Sequence, residues 1–181
     1  MLVQETSLPE VRSVIYDMKT DIRGHSYPLY DKTQLENAGI FFTYTAESVY
    51  VSEKAGTLYG IHFQTFPAAQ SKMLYCIKGN GIDYAVDLRK NSANYLKWTS
   101  VELSAENRKQ IYIPKGFGHA FISLSDDTVN VIRYDVPPDP RYRGHLRYDE
   151  PAIGIKYPDI RPILAPHDAD APYLDDCVTD M

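Results

Sequence analysis

The fold is decided by the stretch from Lys72 to Leu88, which reads KMLYCIKGNGIDYAVDL. Two runs rich in apolar and aromatic residues, the types that favour strands, flank the turn sequence Gly79-Asn80-Gly81. Glycine and asparagine readily adopt the positive φ angles that a tight turn requires. The stretch therefore predicts a β-hairpin, with strands at Lys72–Lys78 and Ile82–Leu88.

Strand-like runs recur along the chain at intervals of about ten residues, with turn residues between many of them. This spacing is typical of an all-β sandwich or barrel. The further strands that the sequence predicts are Val11–Asp17, Ile40–Thr45, Ser48–Ser52, Thr57–Gln64, Lys97–Leu103, Gln110–Pro114, His119–Leu124 and Thr128–Val136. A barrel of this size is either packed solid or holds one small ligand, depending on which residues point inward.

One short helix is predicted in the first half of the chain, at Lys32–Asn37. After Val136, three prolines stop strand pairing, and the rest of the tail is rich in proline, aspartate and tyrosine. We expect this tail to wrap the barrel as short helices and loops. The 181 residues suffice for a single domain, 1–181, with a barrel core at about 40–136 and a C-terminal wrap at 137–181.

The net charge of −5 gives no support for binding nucleic acid or an anionic membrane, both of which need a basic surface. No apolar run is long enough to cross a bilayer, and the first residues lack the pattern of a signal peptide. Cys76 and Cys177 do not form a CxxC pair, so we expect free thiols in a reducing compartment. These features predict a cytoplasmic protein with no nucleic-acid or membrane partner.

Three residues have the side chains that proton abstraction needs, and they lie on separate segments. His62 stands in YGIHFQ, Lys72 opens the next strand, and Asp168 lies in LAPHDADAP. Histidine is the commonest general base near neutral pH, and an ammonium beside a carbonyl oxygen stabilises developing negative charge. Each also has a structural explanation, such as a core histidine bonded to a carbonyl or a lysine that snorkels to the surface. Strand alternation places residues 58, 60, 62 and 64 on one face, and Gly60 leaves room for something to approach.

Two further residues are candidates for contact with a ligand. Asp83 lies on a face of its strand that we expect to point inward. His119 follows Gly116-Phe117-Gly118, where the glycines suggest a tight turn, and it is a plausible second polar contact. A metal site is the rival explanation for the histidines, but the HxH pattern of metal-binding cupin barrels is absent, and His145 and His167 have no ligand spacing. The sequence therefore predicts no metal.

From about Thr57 to Leu174 the chain resembles the dTDP-4-dehydrorhamnose 3,5-epimerase family. Three of its segments resemble the family's RGLHFQ, AQGKLV and DVAVDIRKxSPTFxxW: YGIHFQ at Tyr59–Gln64, AQSKML at Ala69–Leu74 and DYAVDLRKNSANYLKW at Asp83–Trp98. Two more follow the family's wording closely: VELSAENRKQIYIPKGFGHAF at Val101–Phe121 and DEPAIGIKYP at Asp149–Pro158. LAPHDADAP resembles LSAKDAAAP, and DIRG at Asp21–Gly24 is a weaker echo of DERG. Motifs in this order are highly specific for the family.

The resemblance implies a cupin-like jelly-roll fold, a homodimer, and a nucleotide-linked 4-keto-6-deoxyhexose as the substrate. Members of this family remove the proton at C3, at C5 or at both carbons and return it on the other face, without a metal or organic cofactor. His62 matches the family's base, Asp168 the carboxylate that orients the base, and Lys72 the cation at the enolate oxygen. The residues that we expect to contact the substrate are Arg23, Tyr59, Gln64, Asp83 and His119.

The chain departs from the family at positions that bear on the reaction. Ile132 stands where the family has a proton-donating tyrosine in the pattern FLYK, and Tyr134, on the same side of the strand, is the predicted substitute acid. The structural alternative is that Tyr134 is a core or interface residue. Tyr59 replaces the family arginine that contacts the diphosphate, and the nucleotide-contacting patterns FFxE and QDN are poorly kept. We therefore expect altered nucleotide recognition.

Four functions are compatible with the sequence. The first is an epimerase that acts at one carbon or on a different sugar nucleotide, and the second is a sugar-nucleotide ketoisomerase with the same base and enolate stabiliser. The third is a sugar-binding homologue without turnover, and the fourth is a structural barrel with a relic site. Retention of His62, Lys72 and Asp168 favours an active site over a relic, whereas loss of the tyrosine and the arginine favours altered chemistry over double epimerisation.

Overall fold

The computed structural model of the protein describes residues 1–177, and strands make up most of its regular structure. The strands are β1 Leu2–Glu5, β2 Arg12–Ile15, β3 Lys19–Asp21, β4 Gly24–Ser26, β5 Ala46–Ser52, β6 Leu58–Gln64, β7 Lys72–Lys78, β8 Asn80–Asp87, β9 Trp98–Ser104, β10 Gln110–Ile113, β11 Phe117–Ser123, β12 Thr128–Tyr134 and β13 Arg143–His145. Helix α1 spans Lys32–Asn37, α2 spans Pro166–Ala169, and a 3-10 turn follows at Leu174–Asp176. No helix among these residues is long and apolar enough to span a membrane.

The strands form two facing sheets and one small hairpin. The larger sheet has the order β1-β2-β10-β7-β12-β5, the smaller has the order β13-β6-β11-β8-β9, and β3 pairs with β4. Successive strands such as β6, β7 and β8 alternate between the sheets, as they do in a jelly roll. The predicted all-β jelly-roll fold is confirmed. Within residues 1–177, chain crossovers join the two sheets, and no continuous hydrogen-bonded ladder closes them into one cylinder.

The predicted hairpin at Gly79-Asn80-Gly81 is wrong. β7 pairs with β10 and β12, whereas β8 pairs with β11 and β9. Gly79 does adopt a positive φ of 70°, but the turn carries the chain from one sheet to the other. The sequence does not separate these two cases, because the flanking apolar runs are the same whether they pair with each other or with other strands.

Apolar side chains from both sheets fill the space between them. They include Leu74 and Cys76 of β7, Ile132 and Tyr134 of β12, and Ala85, Phe117 and Phe121 of the smaller sheet. Each fully buried side chain of this size contributes about 1.5–3 kcal/mol by leaving water. The jelly roll therefore has one packed interior, and the candidate site lies where polar residues interrupt it.

Segments outside the two sheets cover part of each outer face of the sandwich. The C-terminal tail packs Leu146 and Ile153 on Tyr84 and Val86 of the smaller sheet. On the larger sheet, the segment around α1 packs its buried residues on β2 and β7: Leu35, Ile40 and Phe42. Strands β1, β2 and β13, which lie outside residues 40–136, also belong to the two sheets.

All of the predicted strands except Ile40–Thr45 overlap an observed strand, and the helix at Lys32–Asn37 and the strand at Lys72–Lys78 have the predicted bounds. The segment Ile40–Thr45 is a loop whose alternating burial mimics a strand, because Ile40 and Phe42 pack inward while Phe41 is exposed. The strands that the sequence did not reveal are short and mostly polar: β1, β3, β4 and β13.

Candidate active site

The site is built around His62, which β6 presents to a cavity between the sheets. β6 carries a bulge, because His62 pairs with His119 whereas Tyr59 pairs with Phe121, which leaves one extra residue on β6. The expected alternation of residues 58, 60, 62 and 64 is therefore wrong. Tyr59 lies on the cavity side with His62, while Leu58 packs in the cluster under the C-terminal tail.

Gly60 allows this bulge to form. Its φ is 110°, which side-chain-bearing residues rarely adopt, and a Cβ at this position would lie 2.5 Å from the carbonyl oxygen of His119. The partner that approaches the strand at Gly60 is therefore the backbone of β11. This close approach brings the imidazoles of His62 and His119 to 6.3 Å between ring centroids.

His62 is paired with a carboxylate from the far end of the chain. Its Nε2 lies 2.6 Å from Oδ1 of Asp168, which is 106 residues away in sequence and sits in α2. Burial alone would raise the pKa of Asp168, but the adjacent imidazoles of His145 and His62 outweigh it and hold the pKa well below the usual range. An ionised carboxylate at this position accepts a hydrogen bond from Nε2–H and so fixes the tautomer of His62. Burial lowers the pKa of His62, and the bond to Asp168 partly offsets this.

Lys72 is buried inside the sandwich and does not snorkel to the surface. Its Nζ donates a hydrogen bond of 3.3 Å to the carbonyl oxygen of His62. Burial lowers the pKa of Lys72 to about 7, although the charge of Asp83 acts in the opposite direction. Lys72 therefore places a titratable ammonium against the backbone of His62, in the wall of the same cavity.

Asp83 and His119 lie deeper in the interior. Both carboxylate oxygens of Asp83 are buried without a hydrogen-bond partner in the described chain, and burial raises the pKa of Asp83 well above its usual value. His119 Nδ1 is 3.5 Å from Oδ2 of Asp83, and burial followed by the charge of Lys72 lowers the pKa of His119 well below its usual value. Asp83 thus points inward as expected, but it lies outside the cavity wall.

The cavity at His62 has a volume of about 270 Å³. This is close to the lower end of the range of about 300–1,000 Å³ that is usual for small-molecule sites. Tyrosines and polar side chains share its wall, including Tyr50, Tyr59, Gln70 and Arg143. A larger surface depression of about 480 Å³ near Trp98 has Lys97 as its sole charged lining residue, so we place the chemistry at His62.

Tyr134, the predicted substitute acid, lines this cavity. Its hydroxyl lies 3.2 Å from the hydroxyl of Tyr50, and burial followed by the contact with Tyr50 raises the pKa of Tyr134. Ile132, two residues earlier on the same face, borders a void of about 20 Å³ beside His62 and His119. The position of the family tyrosine therefore faces the histidines, but it carries an alkyl side chain here.

Most of the predicted site residues line the cavity: His62, Lys72, Asp168, Tyr134, Tyr59, Gln64 and His119. The side-chain amide of Gln64 is hydrogen-bonded to the backbone on both sides. Its Nε2 donates to the carbonyl of Ala68 at 2.7 Å, and its Oε1 accepts from the N–H of Asp139 at 2.6 Å. Arg23 lies outside the cavity, on the exposed β3–β4 hairpin, with its guanidinium 2.6 Å from Asp21.

Among the cavity residues that were not predicted as site residues are one arginine and two histidines. β13 pairs with β6 and thereby brings Arg143 and His145 to the mouth of the cavity, and α2 brings His167 beside Asp168. The first two lie in a proline-rich tail in which no strand was visible. For His167, the available signal was its position next to Asp168 in the LAPHDADAP motif.

The arrangement combines an oriented imidazole with a neighbouring ammonium at a ligand-sized opening. No hydrogen bond within residues 1–177 engages Nδ1 of His62, and this atom is not fully buried. It is therefore free to take a proton from a bound molecule, and Lys72 is placed to stabilise the negative charge that this creates. This chemistry suits removal of a proton from a carbon next to a carbonyl group.

Comparison with known proteins points to one family. Residues 5–176 match the family described as dTDP-4-dehydrorhamnose 3,5-epimerase. The chain is 34% identical to the dTDP-4-dehydrorhamnose 3,5-epimerase of Sinorhizobium fredii, over 96% of this chain and 90% of that protein. It is also 34% identical to a dTDP-4-dehydro-6-deoxyglucose 3-epimerase of Streptomyces bikiniensis, over 86% of this chain and 80% of that protein.

Solved structures agree with these sequence matches. The dTDP-4-dehydrorhamnose 3,5-epimerase of Bacillus anthracis, solved with TDP and PPi bound, superposes with a TM-score of 0.92 at 32% identity, over 96% of this chain and 99% of that one. The 3'-monoepimerase ChmJ of Streptomyces bikiniensis, solved with dTDP-quinovose, superposes with a TM-score of 0.87 at 32% identity, over 94% of this chain and 87% of that one.

Proposed function

Because this chain belongs to the dTDP-4-dehydrorhamnose 3,5-epimerase family, we propose that it is an isomerase that epimerises a dTDP-linked 4-keto-6-deoxyhexose, with His62 as the base. The observation that carries this proposal is the pairing of His62 with Asp168 at 2.6 Å, beside the buried ammonium of Lys72. A C–H next to a ketone is a weak acid, so its deprotonation needs both a placed base and a cation at the ketone oxygen.

In the proposed first step, Nδ1 of His62 takes the proton from the carbon next to the ketone. Asp168 holds the Nε2 proton, so the lone pair of the neutral imidazole lies on Nδ1. When Nδ1 becomes protonated, the same carboxylate stabilises the imidazolium. The pair therefore orients the base before the reaction and balances its charge afterwards.

Lys72 supports the same step from the oxygen side. Two electrons move from the broken C–H bond towards the ketone oxygen, which becomes an enolate oxygen. Burial disfavours the charged form of Lys72, and the developing negative charge restores it. The charge of Lys72 is thus stabilised more in the transition state than in the free enzyme, which is the condition for catalysis.

Epimerisation is complete when a proton returns to the opposite face of the same carbon. We propose that Tyr134 delivers this proton, since its hydroxyl lines the cavity and belongs to a pair with Tyr50. The alkyl group of Ile132 stands at the position that matches the family donor and has no proton to give. Because the donor, Tyr134, lies two residues along the strand from the position that matches the family donor, we propose that the enzyme acts at a single carbon.

We expect the Tyr134→Phe variant to epimerise about a hundredfold more slowly, because it keeps the ring and removes the donor. Deuterium exchange at the same carbon should persist, since His62 still removes the proton. Tyr50→Phe is the matched control, and it should lower the rate much less. Unchanged epimerisation in Tyr134→Phe would rule this tyrosine out as the acid.

Arg143 is the guanidinium in the cavity wall, and we propose that it contacts the diphosphate in place of the family arginine that is Tyr59 here. Arginine holds phosphate through two parallel hydrogen bonds. Arg143→Met should raise KM for the dTDP-sugar about tenfold or more, with a smaller change in kcat. Arg141→Met is the control, because Arg141 is paired with Asp139 at 2.7 Å outside the cavity. Equal KM values for the two variants would contradict this role.

Solvent deuterium incorporation, followed by NMR, tests the proposed function. Incubation with a dTDP-4-keto-6-deoxyhexose in deuterated water should introduce deuterium at C3 or at C5 and yield the epimer. Conversion to a 3-keto product would identify a ketoisomerase instead. Binding without exchange would indicate a sugar-binding homologue, and the absence of both would leave a structural barrel.

We also propose that the protein is a homodimer. All residues of the β3–β4 hairpin are exposed, and a two-stranded hairpin is at best marginally stable unless it packs on something. Strand β5 lies at the edge of the larger sheet and exposes Val49 and Val51, as a strand that meets a partner would. Sedimentation should give a mass twice the 20.6 kDa of the chain, and a single-chain mass at assay concentration would contradict the dimer.

A further inference from the structure

Three imidazoles and one carboxylate meet at the mouth of the cavity. We propose that His62, His145, His167 and Asp168, called here the histidine cluster, form a binding site for a divalent transition metal such as Zn²⁺, and that the bound metal switches the base off. Each residue offers one ligand atom, and these four atoms all lie within 4.8 Å of one another. The proposal that the cluster binds a metal rests on geometry alone, whereas the proposal that the metal inhibits the base rests on the proposed function.

The distances from two imidazoles to Asp168 are close to those of a four-coordinate site. Nδ1 of His145 and Nε2 of His167 are each 3.6 Å from Oδ1 of Asp168. Ligand bonds of about 2.0–2.2 Å in a tetrahedral zinc site place the ligand atoms about 3.4 Å apart. To admit the ion, His62 Nε2, which is 2.6 Å from Asp168, must separate by about 1 Å, and the widest spacing in the cluster, which is within 4.8 Å, must shorten.

Two atoms of the histidine cluster lack the partners that buried polar atoms normally have. Within the described chain, Nδ1 of His145 and Oδ2 of Asp168 are buried without a hydrogen-bond partner. A metal ion would satisfy Nδ1 of His145, because neutral imidazole is one of its preferred ligands. The ion also has an entry path, since the side chain of His167 is 60% exposed at the mouth of the cavity.

The histidine cluster differs from the family pattern at a decisive position. In the family motif LSAKDAAAP, a lysine stands where this chain has His167. A lysine ammonium carries no lone pair for a metal and repels a cation, whereas a neutral imidazole binds one. The substitution therefore adds a ligand next to the carboxylate of the catalytic pair.

Metal binding and proton abstraction exclude each other at His62. A neutral imidazole carries one ring proton and one lone pair. If Nε2 gives its lone pair to a metal, the ring proton must move to Nδ1, which is the atom proposed to take the substrate proton. The base is then already protonated, and the carboxylate that orients it is engaged with the ion. The metal would therefore act as a reversible inhibitor.

Calorimetric titration of the untagged full chain with ZnCl₂, after chelator treatment, tests the binding. We expect one Zn²⁺ per chain. His145→Ala and His167→Lys should each weaken binding at least about tenfold, because loss of a group that merely orients a ligand already costs that much. His25→Ala, an exposed histidine on the β3–β4 hairpin, is the control and should bind as the wild type does. Absence of binding, or equal affinity in all variants, would overturn the site.

Thermal unfolding keeps the test valid if a variant folds poorly. Zn²⁺ should raise Tm of the wild type and of His25→Ala, but not of the two cluster variants, since a ligand that binds the folded state stabilises it. A variant that is already unfolded without Zn²⁺ would be replaced by His145→Asn or His167→Gln. An equal rise of Tm in the cluster variants would place the metal elsewhere and overturn the site.

The switch is tested by the ratio of deuterium-exchange rates with and without Zn²⁺. Saturating Zn²⁺ should lower the wild-type rate at least about tenfold, and a chelator should restore it, because a protonated base cannot abstract a proton. In His167→Lys the ratio should stay near one. Zn²⁺ bound by the cluster without any loss of rate would overturn the switch. If the protein shows no exchange even without metal, the proposed function fails while the titration still decides the site.

Discussion

Replacing His62 with asparagine is expected to lower the rate of deuterium exchange next to the ketone by about a hundredfold or more. The asparagine amide is polar and uncharged, and the imidazoles of His145 and His167 still lie 3.6 Å from the buried carboxylate of Asp168. Asparagine has no basic nitrogen, however, and cannot accept the substrate proton. NMR at substrate concentrations well above KM would place the loss in kcat.

The His62→Asn variant must also be shown to be folded and able to bind. Its circular dichroism spectrum and its affinity for dTDP should match those of the wild type, because His62 acts on the sugar carbon and not on the nucleotide. A rate close to that of the wild type in a folded, nucleotide-binding variant would contradict the assignment of the base.

Lys72→Met is expected to slow the same exchange by about a hundredfold to a thousandfold, as loss of one oxyanion-stabilising group does in other enzymes. Methionine has nearly the length of lysine, and its side chain suits the buried position at the start of β7. Removal of the ammonium also removes the charge that lowers the pKa of Asp83, so this carboxyl becomes easier to protonate. We therefore expect a low rate without a matching loss in Tm.

Lys78→Met is the matched control for this change. Lys78 ends the same strand, but its side chain is 63% exposed and lies 3.6 Å from Asp127. An exposed ion pair of this kind contributes about 0–1 kcal/mol, so both the rate and Tm should stay close to the wild-type values. If Lys72→Met and Lys78→Met were equally active, the enolate role of Lys72 would be wrong.

The sequence predicted most strands because their apolar and aromatic residues mark buried surface locally. It could not predict which strands pair, since pairing depends on segments far apart in the chain. The turn at Gly79-Asn80-Gly81 shows the limit, because a sheet-to-sheet corner and a hairpin need the same residues. The bulge in β6 shows a second limit of prediction from sequence. The extra residue at Gly60 breaks the strict alternation, so the residues before it point to the opposite face from the one predicted.

For the site, the residue types that carry chemistry were visible in the sequence, but their partners were not. His62, Lys72 and Asp168 were predicted together, and they line one cavity. Arg143 and His145 escaped notice, because β13 is a three-residue strand whose position depends on pairing with β6. Arg23 was predicted in the site, but it lies on the exposed β3–β4 hairpin, outside the cavity at His62.

The separation of 106 residues between His62 and Asp168 has a consequence for how the protein is made. A ribosome synthesises the base, the ammonium and the thirteen strands found in residues 1–177 before the carboxylate in α2 emerges. A premature stop shortly before Pro166 would leave a product with the whole β-scaffold but an imidazole without its acid. Late truncations should therefore abolish turnover even where the remaining polypeptide still folds.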